Sequence, residues 1–266
     1  MISEKINPLK KYGQNFLTNT EIAKKIIDSL QISNDDVIME IGPGKGALTG
    51  LILEKSPLKF YAFEIDPRMA QFLKKKFGDG VEVKLKDVLH FSATGLKLNK
   101  GQRIKVVGNI PYYITSPIIF KLLEEKKYIE KIVLMIQKEV ADRLVAVPNN
   151  KIYGILSVMA ASQAEVTKLF NVSKNNFYPV PKVDSAVIQM DFVEALEEIS
   201  DLDLFRKIVH TVFNTRRKML QNSLKRMLNE NTIAKIQSVS LSLRPENLTV
   251  SDFKFLTDEI SHLLKN

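Results

Sequence analysis

VIMEIGPGKGALT, residues 37–49, joins a short apolar run to a segment with helical spacing through a glycine-rich turn. Gly42, Gly44 and Gly46 lie at alternate positions of this turn. Glycine permits a sharp turn and the close approach of a ligand to the backbone, and the N-terminus of a helix supplies free N–H groups. The fingerprint of NAD-binding turns, G-x-G-x-x-G, is not matched because the third glycine comes one residue early. The turn alone is weak evidence for a ligand site, since many such turns are purely structural.

Strand-like and helix-like segments alternate along most of the chain around this turn. The further strand-like runs are KFYAFEI (59–65), VEVKL (81–85), IKVVGN (104–109) and IVLMIQ (132–137). The helix-like segments are TNTEIAKKIIDSL (18–30), PRMAQFLKKKF (67–77) and SPIIFKLLEEKK (116–127). This alternation predicts a mostly parallel sheet with helices on both faces.

Two later strand-like runs depart from the alternation. EVTKLFNV (165–172) and DSAVIQMDF (184–192) are joined by a proline-rich segment that is too short to hold a crossover helix. A connection of this kind predicts an antiparallel pair. We therefore expect an α/β, Rossmann-like fold whose mostly parallel sheet ends in an antiparallel hairpin. By analogy, this is the arrangement of methyltransferases that use S-adenosylmethionine (SAM) rather than of dehydrogenases.

The character of the sequence changes at about residue 194. An acidic connector, FVEALEEISDLD (192–203), leads into three segments with helical spacing: LFRKIVHTVF (204–213), TRRKMLQNSLKRML (215–228) and VSDFKFLTDEISHLL (250–264). Thr249 followed by Asp252 resembles a capping box at the start of the last one. The sequence thus predicts two domains, a catalytic domain at residues 1–193 and a small helical domain at residues 194–266.

Composition excludes several kinds of chemistry. The chain has 266 residues, a formal net charge of +9 and no cysteine, which removes disulfides, thiolate metal sites and a catalytic thiol. Its three histidines lack metal-like spacing, so we expect no metal. No apolar run is long enough to span a bilayer, and the first residues do not resemble a signal peptide, so we expect a cytoplasmic protein with no membrane partner.

The positive charge is unevenly distributed. Residues 194–266 hold 11 Lys and Arg against 10 Asp and Glu, so the excess lies in residues 1–193. A basic surface favours a polyphosphate partner such as nucleic acid, although a solvated basic face is an equally ordinary explanation.

Acidic residues follow the next two predicted strands. Glu64 ends one strand, at the place where a carboxylate can accept hydrogen bonds from both ribose hydroxyls of an adenosine. Asp87 follows the next strand, and Asp66 precedes Pro67 at a helix start. Either Glu64 or Asp87 could instead cap a helix. Together with the glycine turn, however, these acids favour a nucleoside-type cofactor at the carboxyl edge of the sheet.

The fourth strand ends in Asn109, Ile110, Pro111 and Tyr112, an order that suits methyl transfer to an exocyclic amine. The lone pair of adenine N6 is delocalised into the ring, so this nitrogen is a poor nucleophile until it is pulled towards tetrahedral geometry. The amide oxygen of Asn109 and the carbonyl of Ile110 or Pro111 can accept its two hydrogens, while Tyr112 stacks on the base. Methylation at C5 of a pyrimidine normally requires a thiol, which this chain lacks, so amine methylation is favoured.

Several longer motifs resemble one enzyme family. They are KYGQNFL (11–17), EIGPGKGALT (40–49), GNIPYYITSP (108–117), QKEVADRLVA (137–146), YGILSVMA (153–160), NFYPVPKVDSAV (176–187) and FNTRRKMLQNSL (213–224). Together they resemble the KsgA/RsmA family of ribosomal RNA adenine N6-dimethyltransferases. The resemblance implies a SAM-dependent enzyme that dimethylates two adjacent adenines in the 3′-terminal hairpin loop of small-subunit (16S) rRNA during 30S maturation, acting as a monomer.

The resemblance also implies roles for individual residues. The cofactor contacts would be Asn15, Leu17, Gly42, Gly44, Glu64, Asp87 and Asn109. The residues around the reacting adenine would be Asn109, Pro111, Tyr112 and Phe177, with Phe177 as the second stacking ring. From the residues alone, Phe177 would be assigned to the core. In the FNTRRK motif, Arg216, Arg217 and Lys218 are candidates for contact with the rRNA backbone, and a solvated helix face is the alternative.

Two other functions are compatible with parts of the pattern. Erm-type 23S rRNA methyltransferases share the glycine turn and the NIPY motif, but Pro117, the YGILSVMA string and the FNTRRK segment favour the small-subunit enzymes. A non-catalytic ribosome-assembly factor could keep the same fold. The complete set of Gly42, Glu64, Asp87 and Asn109 argues against that alternative.

Overall fold

The computed structural model describes residues 6–193 and 199–265, which form two compact units. The first unit comprises Met1–Ala141 and Glu165–Phe192, and the second comprises Asp142–Ala164 and Val193–Asn266. The structure thus groups residues 142–164 with the C-terminal helices, which the predicted division at residue 193 did not do. The central part of the acidic connector, residues 194–198, lies outside the described residues.

Within the described residues, seven strands form one sheet in the first unit, and two short strands form a separate pair. The strands are β1 (Phe16–Leu17), β2 (Val37–Ile41), β3 (Lys59–Glu64), β4 (Glu82–Leu85), β5 (Ile104–Asn109), β6 (Ile129–Gln137), β7 (Glu165–Val172), β8 (Phe177–Tyr178) and β9 (Ser185–Asp191). The large sheet has the order β4-β3-β2-β5-β6-β9-β7. The first five of these strands are parallel, and β9 pairs antiparallel with both β6 and β7. The predicted α/β fold with an antiparallel terminal pair is confirmed.

The helices were also largely anticipated. They are α1 (Thr20–Leu30), α2 (Thr49–Glu54), α3 (Pro67–Phe77), α4 (Thr115–Glu124), α5 (Lys138–Leu144), α6 (Ile155–Ala161), α7 (Leu202–Phe213), α8 (Leu220–Leu224), α9 (Glu230–Ala234) and α10 (Val250–Lys265). Asn19 caps α1 by accepting the N–H groups of Glu21 and Ile22. Thr249 and Asp252 cap α10 reciprocally, as the sequence predicted. Within the described residues, none of the helices combines the length and apolar character needed to cross a membrane.

The core of the first unit explains why the strands are so apolar. All five residues of β2 are buried, so both faces of the sheet are covered at its centre. On one face, Ile26 and Ile27 of α1 join a cluster with Val107 and Val133 of the central strands. The parallel pairing of β2 with β3 and with β5 places the carboxyl ends of these three strands side by side.

One predicted helix is wrong in extent. Only Leu220–Leu224 of the segment at residues 215–228 is α-helical, and most of its remainder forms turns. The N–H groups of Leu220 and Gln221 donate to the carbonyls of Leu243 and Leu241, at 2.8 and 3.1 Å. The segment therefore hydrogen-bonds to residues 241–243 of the second unit and does not form a continuous helix.

Candidate active site

A cavity of about 300 Å³ lies at the carboxyl ends of β2, β3 and β5. Four parts of the first unit line it: residues 12–18 ahead of α1, the glycine turn, the end of β3, and the corner after β5. Glu40 of β2 and Tyr178 of β8 also line it. The volume is at the lower end of the range for small-molecule sites.

The glycine turn is held against β3 by hydrogen bonds. The Gly42 N–H donates to the carbonyl of Phe63 at 2.9 Å, and the Gly44 N–H donates to Oε2 of Glu64 at 3.1 Å. Gly44 has a φ of +53°, and a Cβ at this position would lie 2.9 Å from the ring of Phe16. Glycine is therefore required here both for the backbone conformation and for the close approach of an aromatic ring.

Glu64 is a buried carboxylate at the wall of the cavity. Its Oε1 accepts the N–H of Asp66 at 2.9 Å, in addition to the Gly44 contact on its other oxygen. Burial raises the pKa of Glu64, and the two backbone N–H donors oppose that rise. Each oxygen keeps a further lone pair for a ligand hydroxyl.

The segment ahead of α1 is attached to β3 and α3 by a small polar network. Nε2 of Gln14 donates to Oδ2 of Asp66 at 2.9 Å, and Arg68 donates to the same oxygen at 2.6 Å. Burial alone would raise the pKa of Asp66, but the hydrogen bonds from Arg68 and Gln14 lower it. Asp66 also caps α3 through the N–H of Arg68, as its position before Pro67 suggested. The network holds residues 12–18 along the cavity.

Asn109 has a defined amide orientation at the tip of β5. Its Nδ2 donates to the carbonyl of Asn15 at 2.9 Å. Within residues 6–193 and 199–265, no group donates to its Oδ1. The Asn15 contact places the amide nitrogen on that carbonyl and leaves the amide oxygen as an open acceptor at the cavity.

Tyr112 is held beside Asn109. Its hydroxyl lies 2.7 Å from Oγ of Ser185, at the start of β9. Burial raises the pKa of Tyr112, so the hydroxyl is neutral near pH 7. Pro111, which cannot donate an N–H, lies between these two side chains in sequence and also lines the cavity. The turn after β5 therefore combines a hydrogen-bond acceptor, Oδ1 of Asn109, with the aromatic ring of Tyr112, and hydrogen bonds hold both side chains in place.

The family model for ribosomal RNA adenine dimethylases matches residues 6–261. The chain belongs to this family. Two relatives named ribosomal RNA small subunit methyltransferase A support the assignment. The protein of Chlorobium phaeobacteroides strain BS1 is 42% identical over 96% of this chain and 94% of its own length. The protein of Mycoplasma mobile is 38% identical over 95% of this chain and 98% of its own length.

Solved structures agree with the family assignment. A dimethyladenosine transferase from Plasmodium falciparum superposes with a TM-score of 0.79 at 28% identity, covering 93% of this chain and 98% of that one. The 23S rRNA methyltransferase ErmE superposes with a TM-score of 0.69 at 26% identity, covering 93% of this chain and 100% of that one. The family predicted from the sequence motifs is confirmed. Of these two structures, the dimethyladenosine transferase superposes with the higher TM-score.

Most of the site residues expected for this family meet at the cavity. Its lining includes Asn15, Leu17, Gly42, Gly44, Glu64, Asn109, Pro111 and Tyr112. In the described part of the chain, no cluster of three or more His, Cys, Asp or Glu residues could hold a metal ion.

Two expected residues are not brought to the cavity lining. Asp87 caps a short turn, with its Oδ1 accepting the N–H of Leu89 at 2.9 Å. Phe177 is 3% exposed and packs in the core, because its side chain points to the inner face of β8. The cofactor role of Asp87 and the stacking role of Phe177 stay predictions.

Arg216 of the FNTRRK segment has intramolecular partners. Its Nε donates to Oε2 of Glu246 at 2.7 Å, and an Nη donates to the carbonyl of Asn150 at 3.0 Å. Arg217 and Lys218 are exposed. The suggested contacts of these three residues with rRNA stay predictions.

Glu40 also lines the cavity, although no sequence motif pointed to it. It lies 1% exposed in β2 and accepts the hydroxyl of Thr49 at 2.6 Å. Burial and, less strongly, the neighbouring charge of Glu64 raise the pKa of Glu40 to about 8, although the hydrogen bond from Thr49 opposes the rise. The available signal was an acid in a strand that is otherwise apolar.

The raised pKa of Glu40 predicts a pH-dependent stability. The folded protein binds this proton more tightly than the unfolded chain, whose reference pKa is 4.5, so the contribution of Glu40 is complete below about pH 4.5 and is lost towards pH 8. Glu40→Gln cannot ionise and still accepts the Thr49 hydroxyl. Between pH 5 and pH 8.5 we expect the free energy of unfolding to fall less in Glu40→Gln than in the wild type. The difference between the two decreases should be on the order of a few kcal/mol.

Urea unfolding of both proteins at the two pH values checks this expectation. Glu165→Gln, which alters an exposed acid of β7, is the control and should follow the wild type. Identical pH dependence in Glu40→Gln and the wild type would show that Glu40 does not carry the proton.

Proposed function

We propose that this chain is a SAM-dependent small-subunit rRNA adenine N6-dimethyltransferase. In this proposal it modifies two adjacent adenines in the 3′-terminal hairpin loop of 16S rRNA, in pre-30S particles. It acts in the cytoplasm as a monomer and needs no metal.

The observation that carries the proposal is the amide of Asn109. Because its nitrogen donates to the Asn15 carbonyl, its oxygen is available to accept a hydrogen from an exocyclic amine. The backbone carbonyl of Ile110 lies at the same corner and can accept the second hydrogen. Two acceptors that bind the hydrogens of one amino group pull its nitrogen towards tetrahedral geometry. They also direct its lone pair towards the methyl donor.

The residues of the cavity fit SAM by the chemistry of their donors and acceptors. Glu64 offers carboxylate lone pairs to ribose hydroxyls, and the turn at Gly42 and Gly44 allows a ligand to approach the backbone closely. Asn15 and Leu17 belong to the segment that closes the other side of the cavity. When bound, SAM supplies a methyl group that is already activated by its sulfonium centre.

The protein groups at this corner position the amine and do not act as bases. Neither an amide nor a backbone carbonyl takes up a proton near neutral pH, so the proton lost by the amine passes to water. Tyr112, fixed by Ser185, presents a ring face on which an adenine can stack. The rate is therefore expected to depend on geometry more than on the titration of a catalytic acid or base.

The relatives favour the small-subunit substrate over the large-subunit one. Those at 38–42% identity are named small subunit methyltransferases, whereas the 23S enzyme ErmE is 26% identical. A purely structural assembly factor would not need an open acceptor on Asn109 beside a glycine turn and Glu64.

The direct test is to map the modified nucleotide. The protein is incubated with methyl-labelled SAM and either 30S or 50S particles from cells that lack these modifications. We expect label at N6 of two adjacent adenines near the 3′ end of 16S rRNA and none in 50S particles. Label confined to 50S particles would favour the Erm-type reaction, and no label in either would contradict the proposal.

A further inference from the structure

The third glycine of the turn after β2 makes room for an aromatic ring of α3. Gly46 has a φ of +78°, and a Cβ at this position would lie 2.5 Å from Cε2 of Phe77. The Phe77 ring therefore packs directly on the backbone of the turn, which a side chain at Gly46 would prevent. This contact fixes the end of α3 beside the glycine turn.

Two lysines next to this contact each have an ammonium group over an aromatic ring. Nζ of Lys45, which lies between the second and third glycines, is 5.0 Å from the centroid of the Phe16 ring. Nζ of Lys76, in the last turn of α3, is 4.8 Å from the centroid of the Phe77 ring. It also donates to the backbone carbonyl of Lys45 at 3.4 Å, so the two residues are neighbours. We refer to Lys45 and Lys76 as the lysine pair.

The lysine pair has no acidic partner. Within the described residues, neither ammonium group forms an ion pair with a carboxylate. Among the described residues that line the cavity, Lys45 is the only lysine or arginine, and Lys76 is exposed beside it. The contact with a ring leaves the N–H donors of an ammonium group available. Because neighbouring ammonium groups repel each other, this arrangement favours an anion that both can contact.

The chemistry of that anion follows from what enters the cavity in the proposed function. A target adenine leaves its stack and its amino group reaches Asn109, while the phosphodiester backbone on either side of it stays at the rim. Extruding a base costs a few kcal/mol, which contacts with phosphates can offset. Lys45 lies on the lining at the glycine turn, and both lysines belong to the part of the chain that carries the excess of positive charge.

We propose that the lysine pair binds a phosphate of the RNA backbone beside the target adenine. This inference rests on the proposed function and names a substrate contact for it. Lys45 approaches the phosphate from the rim of the cavity, and Lys76 approaches it from the end of α3. The rings beneath the two ammonium groups restrict their movement, so less side-chain freedom is lost when the phosphate binds.

The test measures how salt affects methyl transfer to under-methylated 30S particles. The double variant Lys45→Met/Lys76→Met removes both charges and keeps side chains of similar length. We expect it to raise the KM for particles roughly 10-fold at moderate salt, with an unchanged kcat, and to lower the slope of log KM against log salt concentration by about one. Lys45→Arg/Lys76→Arg keeps the charges and should keep the wild-type slope.

A matched control removes two charges elsewhere in the first unit. Lys97 and Lys100 are exposed and precede the amino end of β5, whereas the cavity lies at the carboxyl ends of the strands. Lys97→Met/Lys100→Met has the same net charge as the test variant and should keep the wild-type KM and salt slope. The test variant should also bind SAM and 5′-methylthioadenosine, which lacks the carboxylate of SAM, as the wild type does.

The outcomes separate this inference from the proposed function. If the wild type transfers no methyl group to 30S particles, the proposed function fails. If the wild type is active and the test variant shares the KM and salt slope of the control, or if the arginine variant loses as much as the methionine variant, the phosphate site is overturned. Weaker binding of SAM with unchanged binding of 5′-methylthioadenosine would assign Lys45 to the carboxylate of SAM and would also overturn it.

Discussion

Replacing Asn109 with alanine is expected to lower the rate of methyl transfer to 30S particles by roughly 100- to 1,000-fold. The substitution removes one of the two acceptors that shape the amine, and this contact contributes most when the nitrogen becomes tetrahedral. It also removes the hydrogen bond to the Asn15 carbonyl. The loss should appear chiefly in kcat, with a smaller change in the affinity for SAM. Single-turnover transfer and equilibrium cofactor binding measure the two quantities separately.

Asn109→Asp refines this experiment. A carboxylate accepts hydrogen bonds but cannot donate one to the Asn15 carbonyl, which would face a second oxygen at close range. We expect Asn109→Asp to be almost as inactive as Asn109→Ala, because the acceptor is no longer held in place. Asn171→Ala, which truncates an exposed asparagine of β7, is the control. Wild-type turnover in Asn109→Ala would remove this residue from the mechanism.

Gly108→Ala is expected to cause a large loss of stability through the addition of a single methyl group. Gly108 lies in β5, where a Cβ would be 2.7 Å from the carbonyl oxygen of Ile41 and 3.0 Å from Cδ1 of Ile110. The first neighbour is backbone of β2 and cannot rotate away, so the two central strands must separate. Overpacking of this kind typically destabilises by about 1–3 kcal/mol, and we expect the upper end.

The same displacement reaches the site. Ile41 directly precedes the glycine turn, and Gly108 directly precedes Asn109, so transfer activity should fall together with stability. Urea unfolding and transfer assays report the two effects. Gly95→Ala is the matched control, since no atom lies within 4 Å of a Cβ at that position. Equal unfolding midpoints for the two variants would show that the sheet accommodates the methyl group.

The part of the site on parallel strands could be predicted from local sequence. Gly42, Glu64 and Asn109 each follow an apolar run, and the carboxyl ends of neighbouring parallel strands meet at one edge. The order of the strands was not needed for this argument. Asp87 also follows a strand, but here it caps the next turn and does not line the cavity, so its cofactor role stays a prediction.

The other side of the cavity could not be predicted from local pattern. Phe16 and Tyr178 lie far apart in sequence and meet only because β1 and β8 pair. Each strand is two residues long, too short to show alternation. The resemblance supplied Asn15, Leu17 and Phe177, but which ring of the Phe177–Tyr178 strand faces the cavity follows only from the pairing. Similarly, helical spacing at residues 215–228 could not reveal the backbone contacts that limit α8.

The pairing of β1 with β8 has a consequence for synthesis of the protein. Residues near the beginning of the chain need a partner that is translated about 160 residues later, so the cavity lacks one wall while most of the first unit is being made. A nascent chain is therefore expected to acquire its affinity for adenine late, after β8 has left the exit tunnel. The order of translation would thus delay catalysis until the segment that contains β8 has been made.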